Sequence, residues 1–369
     1  MRRKVLFLTA FVPNDAAAAE KNTKIMLSDL SRDYDVDLVY FKYASEPPYI
    51  PENEHIRVLH AYKNSLPRKL FNILLCPVVY PTFSVRFNYR ALCYLKRRIK
   101  KGDYAAIVFD HSQMFLYAKL LSFGEPKIML SHDVIAQRAG RASNKLIASV
   151  CKWSEGYCVK VNNGHVFSFS QKDCDMISSL YGVEAKLCLD YIDPNIVGAI
   201  PSKIEESYVF IGKWSRADNL DGVVWFYDTV APHVKKPIIV NIIGKNFPKD
   251  KITCDNPMVT TKFLGFVDNP YPLIANSKAM LAPLFTGAGI KVKVIESLAC
   301  GTPVIGTEIA FEGLPEKYSN MMLLANDVDS YLKAMEVNIS VEERKRIKRE
   351  FIADYTFETI PQFLMKILN

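Results

Sequence analysis

Residues 284–306 read LFTGAGIKVKVIESLACGTPVIG, and their order spells out a strand end, a loop and a helix. An apolar run closes at Leu284. Gly287-Ala288-Gly289 then lets the backbone pass close to a ligand, because residues without a large side chain leave room there. The spacing predicts a helix from Ile290 to Cys300, stopped by Gly301-Thr302-Pro303 before the next strand. The free N–H groups and partial positive charge of such a helix start attract a phosphate. Lys291 and Lys293 add formal charge at the same end. Glu296, about two turns along, is placed to hold the two hydroxyls of a ribose.

Outward from this stretch, apolar runs alternate with helix-like segments through the whole chain. VLFLTAF, VDLVYF, AAIVFD, KIMLSHD and GHVFSFS form one series, and YVFIG, PIIVNIIG, TTKFLGF, KAMLAPL, TPVIGT and NMMLLA a second. Such alternation is the pattern of parallel sheets covered by helices. The turn-rich stretch around Asp190–Asn195, followed by an expected acidic loop at Glu205-Glu206, separates the two series. The expected fold is therefore α/β, with two Rossmann-like domains facing across a cleft. The N-terminal domain would span 1–190 and the C-terminal domain 191–369, with the last helix a candidate to cross back. Ala16 to Ala19, just after the first strand, suit either a ligand-facing loop or the start of a helix.

The chain has 369 residues, enough for two cores of ordinary size, and a formal net charge of +8. Its eight cysteines form no Cys-x-x-Cys pair and no zinc-spaced cluster, which fits small apolar fillers in a reducing compartment. The basic, apolar N-terminus is too short for a signal peptide and reads as a first strand. No apolar run approaches the roughly eighteen residues needed to span a bilayer. The chain is expected in the cytoplasm, either free or peripheral on the inner face of the cell membrane. Part of the charge is concentrated between Leu66 and Lys101, where Arg68, Lys69, Arg86, Arg90, Lys96, Arg97, Arg98, Lys100 and Lys101 occur without any Asp or Glu. Phe71, Leu74, Tyr80, Phe87 and Tyr89 lie among them. An anionic membrane surface attracts such a segment, although the same composition also suits a core helix with a solvated face. Nothing in the charge pattern calls for a nucleic-acid partner.

The stretch 284–306 resembles the nucleotide-binding motif of family-four GT-B glycosyltransferases, in which a Gly-rich loop precedes a glutamate-bearing helix and Ala-x-Gly-x-Pro-Val. Here that tail is Ala299 to Val304. The resemblance assigns ribose binding to Glu296 and places the donor against Gly212, Gly244, Lys245, Phe266, Val267, Gly287, Gly289, Ile290 and Lys293. Phe210-Ile211-Gly212-Lys213, Ile242 to Lys245 and Phe263 to Val267 look like the family's strand ends around the nucleotide. Ser170-Gln171-Lys172-Asp173 resembles its Ser-x-x-Asp helix start. Two departures stand out. The first glutamate of many members is Ala288 here, and the Arg and Lys that grip the diphosphate are replaced by Lys213 and Asn219. Lys291 is the candidate substitute cation, with Arg216 a further one. The resemblance implies a retaining transfer with no required metal and no cofactor, in which Lys213, Lys291 and the amides of Gly289 and Ile290 stabilise the leaving phosphate.

Two histidines close strand-like runs in the first half, His111 after AIVFD and His132 after KIML. A histidine at a strand's carboxyl edge can bond a sugar hydroxyl or move a proton. His132, in Ser131-His132-Asp133, resembles the family's active-site histidine and joins Lys213 and Lys291 as a catalytic candidate. His111, Asp133 and Arg138 are acceptor candidates, with an ordinary surface arginine the plainer reading of Arg138. Asp33-x-Asp35-x-Asp37 and Asp173-x-Asp175 mimic a metal-binding Asp-x-Asp but read as solvated turn and cap residues. A nicotinamide dehydrogenase would need G-x-G-x-x-G after the first strand, where TAFVPNDAAAAEKN stands. A nucleotide-sugar epimerase and a noncatalytic GT-B partner subunit remain as alternatives to a transferase acting on a lipid-linked or glycan acceptor.

Overall fold

The computed structural model describes every residue except 1, 16–17, 76–78, 143, 190–191, 288, 357–358 and 369. Ala288 and the expected boundary at 190/191 thus lie outside the described residues. The chain divides into two units, Met1–Tyr191 with Glu358–Asn369, and Ile192–Phe357.

The first unit carries a parallel sheet of seven strands: β1 (Lys4–Thr9), β2 (Asp35–Lys42), β3 (Ile56–Lys63), β4 (Tyr104–Asp110), β5 (Lys127–Ser131), β6 (Gly164–Ser168) and β7 (Ala185–Leu187). Their order is β3-β2-β1-β4-β5-β6-β7. From β1 the chain winds outward to β3 and then returns to β4, so the strand order reverses between β1 and β4. In open parallel sheets ligands bind beyond the carboxyl ends of the strands at such a reversal. Strands covered on both faces must be apolar throughout, and β1 is buried from Val5 to Thr9. Helices such as Ala18–Asp33 and Gln171–Tyr181 cover the sheet. The second of these starts where Ser170 accepts a hydrogen bond from the Asp173 amide and ends at the left-handed Gly182, so both ends are capped. The last helix, Ile360–Leu368, belongs to this unit and packs on Ala18–Asp33.

The second unit repeats the plan with β8 (Glu205–Ile211), β9 (Ile238–Ile243), β10 (Val259–Gly265), β11 (Ser277–Ala282), β12 (Val304–Gly306) and β13 (Met322–Leu324). The order is β10-β9-β8-β11-β12-β13, with the reversal between β8 and β11. Its core gathers Tyr208, Phe210, Trp214, Phe226 and Tyr331. The helix Val341–Tyr355 braces this sheet through buried cations. Arg344 donates to the carbonyls of Ser277, Lys278 and Ile339 at 2.8, 2.7 and 3.2 Å, and Lys348 to those of Ile196 and Ala299. The helix Val292–Ala299 is thereby held at its carboxyl end.

Several expectations change. Glu205 and Glu206 open β8 and are not a loop. The strands β3 and β7 escaped the sequence reading because IRVLHAYK and AKL alternate or are short, lacking the continuous apolar run of a central strand. Asp37 is not solvated: it is buried in β2 and accepts from Arg57 at 2.8 and 2.9 Å, Arg98 at 3.2 Å and Tyr104 at 2.5 Å. Arg98 is therefore committed to an internal ion pair, and Arg86 is buried, so neither is available to a membrane surface. Asp173 is buried as well.

Candidate functional site

Each unit brings its candidate residues to its own reversal point. In the first unit the parallel register sets Thr9 opposite Asp110, and Asp110 opposite Leu130 on β5. Asp110 is fully buried and accepts from Thr9 Oγ1 at 2.8 Å and Thr23 Oγ1 at 2.7 Å through Oδ2, while His132 Nε2 lies 2.7 Å from Oδ1. Burial alone would raise this carboxyl's pKa. Its attraction for a proton on His111 or His132 and the hydrogen bonds from His132 and Thr23 outweigh it, holding Asp110 ionised below the usual carboxylate range. His132 stands directly after β5 and is partly exposed, with Phe169 edge-on at 4.8 Å. A histidine oriented by a buried carboxylate is equipped to bond a hydroxyl in one fixed tautomer or to carry a proton.

His111 leaves β4 with φ 71°, a left-handed conformation that a residue with a Cβ adopts at a cost of order 1 kcal/mol. This turn lays its ring against His132, centroids 3.8 Å apart and planes 19° apart. Burial pushes its pKa down to about 3, aided by His132 and Arg86 and opposed by Asp110, so the ring is neutral at physiological pH. Asp110, His111 and His132 bring donor atoms within 4.8 Å of one another. A shared metal would nevertheless need the in-plane lone pairs of the two imidazoles to converge, and face-to-face stacking runs them side by side. Asp133 and Arg138 pair with each other at 2.9 Å, and Arg138 is half exposed.

In the second unit three strand ends lie together. The Gly212 amide donates to the Ile243 carbonyl at 3.2 Å and the Gly244 amide to the Gly265 carbonyl at 2.7 Å. Gly244 has φ 137°, and a Cβ there would stand 2.2 Å from the Gly212 carbonyl oxygen, so no other residue fits. Lys245 lies over the ring of the exposed Phe266, 4.5 Å from its centroid, with Val267 following on the same loop. Across the reversal, Gly287 and Gly289 take φ 123° and 68° in the loop after β11.

The helix beyond that loop starts later than its sequence suggests. It spans Val292–Ala299, with Lys291 in extended geometry at its cap, so Gly289 and Ile290 belong to the loop. Lys291 Nζ folds back onto the Gly289 carbonyl at 2.5 Å, which the glycine turn presents to it. Lys293 is the residue that reaches the neighbouring strand end: its Nζ donates to Asn219 Oδ1 at 2.8 Å, while Asn219 Nδ2 donates to the Lys213 carbonyl at 3.2 Å. An ammonium therefore stands beside Asn219, at the place where the resemblance had pointed to a missing cation. Burial lowers the Lys293 pKa to about 8, with Asp218 acting to raise it and Arg216 and Lys291 to lower it. Arg216 itself makes a two-point pair with Asp218 at 3.0 and 2.6 Å.

Glu296 sits partly buried on the inner part of the helix, where the buried Tyr271 hydroxyl donates to its Oε1 at 2.7 Å. The same hydroxyl lies 3.1 Å from Asp193 Oδ2. Having one proton, it bonds one carboxylate at a time. Sequence reading missed Tyr271, Asp193, Asp110, Thr9 and Thr23. Asp110 alone gave a signal, an acid ending the apolar run AAIVFD.

Residues 205–339 match the model of the family described as Glycosyl transferases group 1. A curated relative, an uncharacterized 44.6 kDa protein in the cps region of Klebsiella pneumoniae, is 23% identical over 129 residues, covering 32% of this chain. The match spans 33% of that protein, about a third of its length. Among solved structures, WaaG, a glycosyltransferase involved in lipopolysaccharide biosynthesis, superposes with TM-score 0.64 at 10% identity, covering 99% of this chain and 98% of that one. Anabaena HepE in complex with UDP and glucose gives 0.60 at 12%, covering 100% and 98%. The E. coli trehalose-6-phosphate protein bound with UDP-2-fluoro glucose gives 0.63 at 10%, covering 99% and 98%. These likenesses establish the fold as GT-B.

Proposed function

We propose that this chain, a GT-B fold protein related to the group 1 glycosyltransferases, moves a sugar from a nucleotide diphosphate donor to a lipid-linked or glycan acceptor in surface polysaccharide assembly. The Ile192–Phe357 unit binds the donor and the other unit the acceptor. One observation carries the reading: a glycine loop at the β8/β11 reversal leads into a helix whose Glu296 is held by Tyr271 at the depth where a ribose would lie. The lipopolysaccharide role of WaaG and the cps location of the Klebsiella protein support the choice of product class.

Lys213, Lys291, Lys293 and the amides around Gly289 stabilise the charge that builds on the departing diphosphate. His132, oriented by Asp110, bonds a hydroxyl of the reacting sugar, and the leaving phosphate takes the acceptor proton, a route that retains configuration. The lysines and backbone amides supply this stabilisation without a metal.

The first test is a panel of nucleotide sugars screened for thermal stabilisation, followed by calorimetry of the best one. Glu296→Ala is expected to weaken binding roughly ten- to a hundred-fold, the worth of a charge-assisted hydrogen bond of about 1.5–3 kcal/mol. Tyr271→Phe removes only the orienting hydroxyl and should cost about ten-fold. Unchanged affinity in Glu296→Ala would take that residue out of the site. Acceptor-dependent release of nucleotide diphosphate separates transfer from epimerisation.

A position on the inner face of the membrane rests on the helix Leu66–Leu75. Leu66, Leu70, Phe71 and Leu74 are 69%, 54%, 59% and 77% exposed, and Arg68 stands among them. Lys96, Arg97, Lys100 and Lys101 form an exposed basic face on the helix Tyr89–Lys101. None of the described helices is long and apolar enough to cross a membrane. Burying two large apolar side chains is worth about 1.5–3 kcal/mol each when complete. Leu70→Ser with Phe71→Ser should therefore reduce sedimentation with anionic vesicles by about ten-fold or more, and Lys96→Gln with Arg97→Gln should give a smaller, salt-sensitive loss. Equal sedimentation of all three proteins would remove the membrane from this reading.

A further inference from the structure

Arg86 is a buried cation to which the surrounding protein gives no hydrogen-bond acceptor, although the charges of Glu20 and Glu46 act on it. It is 6% exposed, yet among the described residues its guanidinium makes no hydrogen bond and no ion pair. Its contacts are aromatic faces: the guanidinium carbon lies 4.4 Å from the Phe11 ring centroid and 5.5 Å from that of Tyr43. Ring faces offset part of the lost hydration but give five N–H donors no oxygen to bond. Other buried cations in this chain are treated differently. Arg344 meets three carbonyls, and Lys127 meets those of Ala118 and Leu121. A buried guanidinium without an acceptor is costly enough that an oxygen-bearing partner from solution is the natural complement.

Its position identifies the partner. Phe11 follows β1 and His111 follows β4, the two strands that flank the reversal point, and their rings meet edge to face at 4.8 Å. His111 Nε2 is a buried polar atom without a hydrogen bond, 3.4 Å from Asp110 Oδ2. The guanidinium thus stands beside the histidine pair, where the sheet's own topology puts a ligand.

We propose that Arg86, with His111 beside it, forms an oxyanion site that takes a phosphate group carried by the acceptor. The site itself stands on the geometry of this unit, and only the word acceptor rests on the glycosyltransferase reading. A planar guanidinium fork binds two phosphate oxygens at once, and a tetrahedral group leaves a third oxygen for a donor outside that plane.

The test titrates the full chain with inorganic phosphate at constant ionic strength, following the imidazole resonances of His111 and His132 and the thermal midpoint. Wild type should show a saturable shift of His111. Arg86→Met should abolish it while keeping the midpoint without phosphate equal or higher, because an unpaired buried charge has been removed. Arg86→Lys keeps the charge but loses the fork and should bind about ten-fold more weakly. Lys291→Ala, in the other unit, should leave the His111 response as it is. The proposal is overturned if Arg86→Met lowers the midpoint by several degrees without phosphate, if wild-type His111 does not move, or if acetate moves it equally. Donor binding is measured on the same samples: its loss from wild type with the phosphate response intact would sink the glycosyltransferase reading and leave the anion site standing.

Discussion

Asp110→Asn is expected to lower turnover by about a hundred- to ten-thousand-fold while leaving nucleotide binding within a factor of two. The carboxylate touches no substrate in this reading. It accepts from Thr9, Thr23 and His132 at once, and all three need an acceptor. An amide in its place carries no charge: the threonine hydroxyls can rotate to accept its N–H groups, with Thr23 donating to the Ala19 carbonyl at 3.1 Å, but His132 is left facing a neutral oxygen. His132 then loses the charge that fixes its tautomer and stabilises its imidazolium, a positioning failure felt in kcat and not in donor affinity. His132→Ala should cost a similar factor, and the double variant scarcely more than either single one, because both remove the same unit. Additive losses would show that the two residues act separately. The comparison holds from acidic to neutral pH, since the depressed pKa keeps the carboxyl ionised well below neutrality. Circular dichroism and the thermal midpoint check folding, because breaking a buried charged network costs about 3–5 kcal/mol.

How far the sequence reaches is best seen at particular residues. Continuous apolar runs such as VLFLT and SKAMLA announced central strands because a strand covered on both faces has no polar side. Edge strands do not obey that rule, so IRVLHAYK gave no strand signal. Gly287, Gly289, Lys293 and Glu296 were legible because glycine turns, cations and a helix phase are local properties. Tyr271 was not: it is 25 residues from Glu296, and only packing in the folded unit puts its hydroxyl there. Asp110 and Thr9 are 101 residues apart and meet through the parallel register of β1 and β4. Arg86 looked like one more member of a basic run, since burial is a property of the fold and not of charge spacing. The same holds for the two lysines that follow Gly289. The family resemblance made Lys291 the candidate for the missing cation, whereas in the folded unit Lys291 bonds the Gly289 carbonyl and Lys293 reaches Asn219.

In the proposed reading, Lys293 sets the pH at which a donor can be held. Lys293 has its pKa lowered to about 8 by burial, so the free protein carries the ammonium at pH 7 and has lost most of it at pH 9. A diphosphate placed beside it favours the charged form and raises the pKa in the complex. The sign follows directly. Below about pH 7 both states are protonated and affinity is flat. Between the free and the bound pKa, binding takes up a proton, so affinity falls as pH rises. With a free value near 8, about one molecule in ten keeps the charge at pH 9, and donor binding is expected to be about ten-fold weaker there than at pH 7. Calorimetry in two buffers of different ionisation enthalpy should register close to one proton taken up per nucleotide bound at pH 9, and almost none at pH 7. Lys293→Gln should flatten the profile at the weakened level, roughly ten- to a hundred-fold below wild type at neutral pH. Lys291→Gln should lower affinity but keep the slope, because the ammonium that titrates near neutrality is still in place. A profile that stays flat from pH 7 to 9 in wild type would mean that the Lys293 ammonium does not face the diphosphate, and the cation beside Asn219 would then belong to the fold alone.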